Sequence, residues 1–261
     1  MKPVKYLYFF LMAILVFTSC EKVIEVDVKD ADKKYVIEGI VTNEAGGCLV
    51  KISQTKKLSD VNTFEGISGA QVRITDEKGV VSLLAETGQG IYQSQLVGVP
   101  GTKYHLQVTI GGEVYTAQSQ MPQPVTLDSL YISDMDMLGE KQYATNIEYT
   151  DPSEKGNAYR FVQYINEKKE KDIHVQNDEL TNGRRNTATL FSGDDNLQSG
   201  DVVMVELQSI DPVVYKYFYS LSRGGTGGNS TTPANPASNL SGGALGYFSA
   251  HTIASKRVTV K

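Results

Sequence analysis

Short runs of β-branched and aromatic residues follow one another from residue 35 onward, and they constrain the fold more than any other feature. Glycine, asparagine, aspartate or proline separates the runs, and several of them alternate apolar and polar residues with a period of two. Residues 103–110 illustrate this alternation. The face of that run that we expect in a core carries Tyr104, Leu106, Val108 and Ile110. Helical periodicity is nearly absent, so the sequence predicts a mostly β protein.

The predicted strands form two blocks that are separated by two prolines. Pro122 and Pro124 interrupt any hydrogen-bonded ladder, because proline has no amide hydrogen and restrains the residue before it. We therefore predict two β-sandwich domains of the Ig-like or transthyretin-like kind, at residues 35–122 and 125–261. The strands of the first are predicted at residues 35–42, 49–55, 70–76, 80–86, 91–96, 103–110 and 114–119. Those of the second are predicted at residues 127–133, 143–149, 158–165, 187–191, 202–209, 244–250 and 257–260.

One segment of the second block has helical spacing. Asp211 can cap a helix with its carboxylate, and Pro212 suits the first turn. The apolar stripe that follows contains Val213, Val214, Tyr217, Phe218 and Leu221. We predict a helix at residues 211–222 that packs on a sheet. A ligand platform made by its aromatic residues (Tyr215, Tyr217, Phe218 and Tyr219) is the alternative.

A long segment rich in glycine, serine, asparagine and proline follows that helix, at residues 224–243. Loops of this length are uncommon inside compact domains unless they are functional or mobile. Both a partner-contacting loop and a solvated connector fit this composition.

The first twenty residues predict export and lipidation. Lys2 and Lys5 precede an apolar run at residues 6–17, which is too short for a transmembrane helix because such a helix needs about 20 residues. Ser19 directly before Cys20 resembles the lipobox of bacterial lipoproteins, in which the cysteine thiol becomes linked to diacylglycerol. Phe17 stands where the commonest lipobox has leucine. A cysteine near an ordinary secretory cleavage site is the alternative.

These features divide the start of the chain into two parts. We expect residues 1–19 to be a cleaved signal peptide and Cys20 to become the acylated first residue of the mature protein. Residues 20–34 are dense in charge and suit a tether between the lipid and the globular part. Several acyl chains on one residue make membrane attachment effectively permanent.

The cysteine content and the net charge exclude an internal disulfide and argue against one class of partner. Cys48 is the one cysteine besides Cys20, so the mature domain contains no internal disulfide. It lies in an apolar run, where we expect a buried and inert thiol. The net charge of −5 offers no basic surface for a phosphate backbone, which argues against nucleic acid as a partner.

The sequence contains no recognisable catalytic or cofactor motif. Three histidines, His105, His174 and His251, are isolated from one another along the chain. Zinc signatures, the Gly-x-Ser-x-Gly turn of serine hydrolases and phosphate-binding glycine loops are all missing. We therefore predict no metal, no cofactor and no enzymatic activity.

Two acidic clusters supply oxygen atoms of the kind that calcium binds. The first joins Asp194 and Asp195 with Asp201, and the second pairs Asp134 with Asp136. The first lacks the twelve-residue order and final glutamate of an EF-hand, so we interpret it as a solvated turn.

Motifs within residues 66–122 resemble a known fold. They are Gly69-Ala70-x-Val72-x-Ile74-x-Asp76, Gly90-x-Tyr92 and Gly101-x-x-Tyr104-x-Leu106-x-Val108. The stretch is similar to the transthyretin-like and carboxypeptidase-regulatory sandwiches. Its residues are packing residues, so the resemblance implies a fold and no activity.

A second resemblance spans nearly all of the mature chain. It rests on Cys20-Glu21-Lys22-Val23-Ile24, on Tyr35-Val36-Ile37-Glu38-Gly39-x-Val41-Thr42-Asn43 and on Asn235-Pro236-x-Ser238-Asn239-x-x-Gly242-Gly243-Ala244-Leu245-Gly246-Tyr247-Phe248. These motifs are similar to the Bacteroidota outer-membrane lipoproteins of unknown function that are typically encoded beside TonB-dependent receptors. The resemblance implies an outer-membrane location, on the periplasmic or the exposed face, and an accessory role in nutrient uptake. It carries no catalytic residue.

Three functions remain open at this point. The first is a lipid-anchored binding module that contacts a TonB-dependent receptor or its small-molecule or peptide ligand through loops and a sheet edge. The second is a cell-surface hydrolase whose site is assembled from distant residues. The third is a structural or adhesive surface lipoprotein.

Overall fold

The computed structural model describes residues 33–56, 63, 65–137, 140–191, 197–225 and 235–261, with the backbone alone for 135–137, 140 and 141. The predicted signal peptide, the lipidation site Cys20 and most of the tether lie outside the described residues. So do Asp194, Asp195 and the middle of the predicted 224–243 loop. Within the described part, no helix is long and apolar enough to span a bilayer.

The protein is mostly β, with sandwich-like sheets and one short helix, as the sequence predicts. Its strands are β1 (Tyr35–Thr42), β2 (Cys48–Gln54), β3 (Gln71–Asp76), β4 (Val81–Gly88), β5 (Ile91–Ser94), β6 (Lys103–Ile110), β7 (Glu113–Gln120), β8 (Leu127–Met137), β9 (Glu140–Thr150), β10 (Ala158–Ile165), β11 (Lys168–Lys169), β12 (His174–Asn177), β13 (Arg185–Phe191), β14 (Val202–Ser209) and β15 (Leu245–Thr259). The helix α1 (Pro212–Gly225) lies between β14 and β15.

Strands β1 to β7 enclose the first hydrophobic core. They are hydrogen-bonded in the order β1-β2-β5-β4-β3-β6-β7, and the register shifts between Glu86 and Gly88, where β4 meets β5. Such an irregularity bends a sheet and lets it wrap around a core. The predicted inner face of β6 is confirmed, because all four of its apolar side chains are buried. Cys48 is buried in the same core, as predicted.

A second hydrophobic core lies between two sheets. One sheet contains β10, β14 and the second half of β15, and the other has the order β13-β9-β8. An aromatic group fills its centre: the Tyr149 ring lies 4.9 Å from that of Tyr159 and 5.7 Å from that of Phe161, between centroids. Burial of such rings is a major stabilising contribution in a sandwich.

Strand β15 belongs to both cores, and here the structure differs from the prediction. The sequence predicts separate strands at 244–250 and 257–260, whereas β15 is continuous from Leu245 to Thr259. It pairs in parallel with β1 up to His251 and then antiparallel with β14 from Thr252. The cores do divide near Pro122 and Pro124, but residues 244–250 of the predicted second domain pack in the first core. Residues 33–261 form one compact unit.

The predicted helix is confirmed as α1, but one residue of its predicted apolar stripe does not face the sheet. Its N-terminus is capped by Asp211, whose Oδ1 accepts a hydrogen bond from the Val213 amide at 3.0 Å. Val214 and Phe218 are buried against the sheet, whereas Val213 is 46% exposed. The inward stripe therefore begins at Val214, because spacings of three and four residues continue from there to Leu221.

Candidate functional site

The motif at residues 235–248, the last of the three that carry the second resemblance, contains a structural clasp. We define the clasp as residues 238–241. The Ser241 amide donates to the Thr116 carbonyl at 2.8 Å, and the Thr116 amide donates to Ser241 Oγ at 3.1 Å. Asn239 then joins two strands. Its Nδ2 donates to the carbonyls of Gln118 on β7 and Phe248 on β15, while its Oδ1 accepts from the Phe248 amide.

The clasp covers the outer edge of β7. An uncovered strand edge exposes amide and carbonyl groups that can pair with another chain. On β7, the clasp uses the polar groups of Thr116 and Gln118, and Asp211 Oδ2 accepts from the Gln120 amide at 2.8 Å. This part of the β7 edge is therefore not a free docking surface.

The glycines near the clasp allow close backbone approach. Gly246 has a φ of 99°, and a Cβ there would lie 2.1 Å from the Ile37 carbonyl oxygen on the neighbouring strand. Gly39 faces Phe248 across the same strand pair, and a Cβ there would lie 2.9 Å from its ring. These two glycines therefore let β15 lie close against β1.

The three histidines are not brought together. His105 is exposed on β6, His174 is half-buried on β12, and His251 is buried on β15. No group of three or more histidine, cysteine, aspartate or glutamate residues within the described ranges could hold a metal ion. Burial lowers the pKa of His174, and the nearby Asp172 partly offsets this effect.

His251 lies beside a serine, with Ser249 Oγ 3.0 Å from His251 Nδ1. A serine–histidine pair at this distance suggests nucleophilic catalysis, but its surroundings oppose it. Both residues are buried, and burial together with the positive charges of Arg160 and Lys169 lowers the pKa of His251 to about 4. A base with that pKa is a poor proton acceptor at neutral pH, and none of the charges acting on it is an orienting carboxylate.

Arg160 lies beneath helix α1 with its charge largely removed from water. Its Cζ is 3.9 Å from the centroid of the Phe218 ring, and its side chain hydrogen-bonds that of Tyr247. Burial lowers the pKa of Arg160, and the carboxylate of Glu206 opposes that shift. This arrangement satisfies a buried cation and anchors the helix on the sheet.

The predicted acidic clusters do not form a described metal site. Asp201 is part of a turn, where its Oδ2 accepts from the Gln198 amide and its Oδ1 from Asn166 Nδ2, both at 2.8 Å. These two hydrogen bonds lower its pKa. Asp134 is exposed, and the side chain of Asp136 lies outside the described part.

Within the described ranges, the surface hollows include three candidate binding sites. One of about 320 Å³ lies on the outer face of β3, β6 and β7, where Arg73 already donates to Gln107 Oε1 at 2.6 Å. A second of about 450 Å³ lies beside Tyr131, Tyr143 and the C-terminal Lys261. A third of about 460 Å³, which we call the α1 hollow, lies against the first turns of the helix.

Hydrogen bonds hold the loops that form one wall of the α1 hollow. Asp178 is buried, and its Oδ2 accepts from the amides of Gly156 and Asn157 at 2.6 and 2.9 Å. Asn182 Nδ2 donates to the Ser153 carbonyl at 2.9 Å. These bonds fix the loop before β10 against the loop after β12. The helix contributes Pro212, Tyr215 and Lys216 to the opposite wall.

Sequence reasoning found one residue of this hollow and missed the others. Tyr215 belongs to the aromatic residues for which a ligand platform was the alternative. Asn177 ends β12, and Asn157, Asp178 and Asn182 lie in loops without a motif. The pairing of β10 with β12 brings these residues together. No spacing in the sequence indicates that pairing.

The chain was compared with curated proteins and with solved structures. No curated protein matches the chain. Among solved structures, a segment of two fibronectin type-III domains from chicken tenascin has a TM-score of 0.22 and 11% identity, covering 69% of this chain and 92% of its own. The chicken interferon gamma receptor alpha chain also has a TM-score of 0.22, with 8% identity, and covers 69% of this chain and 90% of its own.

A family model matches almost the whole chain. It describes a domain of unknown function, DUF4249, and it matches residues 21–257. That span includes the clasp, both cores and the α1 hollow. The protein is therefore a member of the DUF4249 family.

Proposed function

We propose that the protein is a lipid-anchored accessory binding module of a bacterial outer membrane, where it works beside a TonB-dependent nutrient receptor. One observation carries this proposal: the apolar run at residues 6–17 is followed directly by Thr18-Ser19-Cys20, and a stretch dense in charged residues precedes the compact β unit that begins at residue 33. The receptor is proposed as the partner because three sequence motifs of this chain are similar to those of lipoproteins that are typically encoded beside TonB-dependent receptors.

The chemistry of the described residues supports binding over catalysis. The Ser249–His251 pair is buried and its histidine has a low pKa. The α1 hollow is lined by amides, lysines, carboxylates and a tyrosine, without a histidine, serine or cysteine. A serine or cysteine hydrolase needs an activated nucleophile beside a base, and the hollow supplies no such nucleophile. Of its two carboxylates, that of Asp178 is buried and accepts hydrogen bonds from two backbone amides, which suits a structural role.

Acylation of Cys20 is the first experimental test. The protein purified from membranes should have the intact mass of a chain that begins at residue 20 and carries diacylglycerol and a further acyl chain. The variant Cys20→Ser should keep its leader and lack the lipid. Cys48→Ala is the matched control, because this cysteine is buried in the first core and its replacement should leave the lipid in place. A native mature chain without lipid would contradict the proposal.

A further inference from the structure

We propose that the α1 hollow binds a neutral oligosaccharide. This inference deepens the proposed function by assigning a ligand class to the binding module, but its geometry does not depend on the lipid anchor or on the receptor. It rests on the volume of the hollow, on the charges around it and on the side chains that form its walls.

The volume is appropriate for a ligand of a few sugar rings. Small-molecule sites in proteins usually enclose about 300–1,000 Å³. The α1 hollow encloses about 460 Å³. Its walls are held by the buried Asp178 and by backbone hydrogen bonds between the two loops, including that from the Asp178 amide to the Asn157 carbonyl at 3.1 Å. A site with fixed walls loses little conformational entropy when a ligand binds.

The charges that line the hollow are balanced. Lys155 and Lys216 provide two positive charges, and Asp178 and Glu179 provide two negative ones. An anionic ligand would meet the exposed carboxylate of Glu179 beside the buried carboxylate of Asp178, and a cationic ligand would meet the two ammonium groups. A neutral ligand that both donates and accepts hydrogen bonds avoids either conflict, and sugar hydroxyl groups have this property.

The remaining polar side chains are amides, which can donate and accept at the same site. Asn157, Asn177 and Asn182 all line the hollow. The Oδ1 of Asn182 is buried and accepts no hydrogen bond from the described residues, which is a costly state for a polar atom. The asparagines therefore offer amide groups to a polar, uncharged ligand.

Tyr215 supplies the apolar wall. Its ring stacks on that of Tyr219 on the outer side of the helix, with centroids 5.6 Å apart and planes at 26°. The stack fixes the orientation of Tyr215, which lines the hollow beside Pro212 and Ala158. A flat aromatic face opposite several amides suits a sugar ring, which has both apolar carbon–hydrogen faces and polar edges.

Saturation-transfer NMR on the purified full chain tests this inference. The probes are maltohexaose, cellohexaose, xylohexaose and mannohexaose at millimolar concentration, with hexagalacturonate as an acidic comparison. At least one neutral probe should bind. Its affinity should fall about tenfold, equivalent to about 1.4 kcal/mol, in Tyr215→Ala and in Asn177→Ala. Tyr131→Ala, which changes an exposed tyrosine at another hollow, should bind normally.

Three results would overturn the inference. They are the absence of binding by all four neutral probes, binding of hexagalacturonate alone, and binding that neither hollow variant weakens while both remain folded by circular dichroism. None of these results bears on the proposed lipidation of Cys20 or on the proposed association with a receptor. A failure of this inference is therefore distinguishable from a failure of the proposed function.

Discussion

At the scale of single residues, burial and nearby positive charges both oppose the ionisation of His251. Its side chain is buried beside Ser249, and the positive charges of Arg160 and Lys169 act on it. Burial is the larger cause of its low pKa, and the two cations add to it. The folded protein therefore keeps this histidine neutral at pH values where a solvated histidine is protonated.

This shift predicts a loss of stability in acid. The unfolded chain binds a proton at His251 below about pH 6.5, whereas the folded chain binds it only near pH 4. Stability is therefore fully present above pH 6.5 and falls as the pH decreases to 4, by roughly 3 kcal/mol in total from this residue. Urea unfolding at pH 7 and pH 4.5 should show that His251→Gln has a smaller acid-induced loss than the wild type.

The control for this experiment is His105→Gln. His105 is exposed on β6, so its replacement should leave the pH dependence unchanged. Carboxylates that titrate in the same range contribute equally to all three proteins and cancel in the differences. Equal pH dependence in His251→Gln and the wild type would show that His251 is accessible to protons in the folded state.

Gly246 is the second residue with a specific prediction. Gly246→Ala places a Cβ 2.1 Å from the Ile37 carbonyl oxygen, in a backbone conformation that side chains rarely adopt. We expect the free energy of unfolding to fall by about 3 kcal/mol or more, because backbone strain and a steric clash add. The measurement is urea unfolding followed by circular dichroism.

Gly112→Ala separates the two causes of that loss. Gly112 has a φ of 91°, close to that of Gly246, but a Cβ there would meet no atom within 4 Å. Its replacement should cost about 1 kcal/mol from strain alone. A loss at Gly246 no larger than that at Gly112 would mean that β1 and β15 are not closely paired at this point.

At the scale of secondary structure elements, the clasp connects strand β7 with strand β15 around the first hydrophobic core. Asn239 substitutes for a strand neighbour: it pairs with both backbone groups of Phe248 and with the Gln118 carbonyl. We predict that Asn239→Ala lowers the unfolding free energy by about 2–3 kcal/mol, because the Phe248 amide and two carbonyls lose their partners. Differential scanning calorimetry would record this as a lower unfolding temperature.

The same substitution should also promote association. Without Asn239, the edge of β7 exposes the Gln118 carbonyl, and exposed edges favour pairing between chains. Light scattering near the unfolding temperature should rise earlier for Asn239→Ala than for the wild type. Asn186→Ala is a suitable control, since the Asn186 side chain donates a hydrogen bond to the nearby Arg184 carbonyl and to no other group among the described residues. Similar behaviour of the two variants would indicate that the clasp does not protect the edge.

Local sequence patterns predict most of the strands and the helix. The strands that they do not predict form through pairing with a strand that is distant in sequence or with an edge strand. The bounds of β1, β6, β10 and β14 agree with the predicted strands, because each combines alternation or apolar runs with clear turn residues. Strands β11 and β12 are short and polar, and they form only because β10 offers its edge. The sequence predicts a break between residues 250 and 257, whereas β15 continues there and changes its partner from β1 to β14.

The candidate site was less predictable than the fold. Cys20 remains a prediction from the N-terminal pattern alone. The burial of Cys48 followed from its apolar neighbours. By contrast, the walls of the α1 hollow come from separate loops and a helix that meet only after β10, β12 and α1 have packed, and no local pattern encodes such a meeting.

At the scale of the whole molecule, β15 joins the two hydrophobic cores into one unit. The first half of the strand contributes Phe248 and Ala250 to one core, and the second half contributes Ala254 and Val258 to the other. The proposed binding module would therefore present its loops and its α1 hollow on one compact unit. Rigid presentation suits a protein that holds a ligand or a receptor at a membrane surface.

Affinity purification from native membranes in a mild detergent tests the central proposal most directly. The full chain, tagged at its C-terminus and expressed from its own locus, should retain a TonB-dependent outer-membrane receptor in near-stoichiometric amount. Cys20→Ser should lose that receptor, whereas Cys48→Ala should retain it. A wild-type lipoprotein that purifies alone under these conditions would contradict the proposed role.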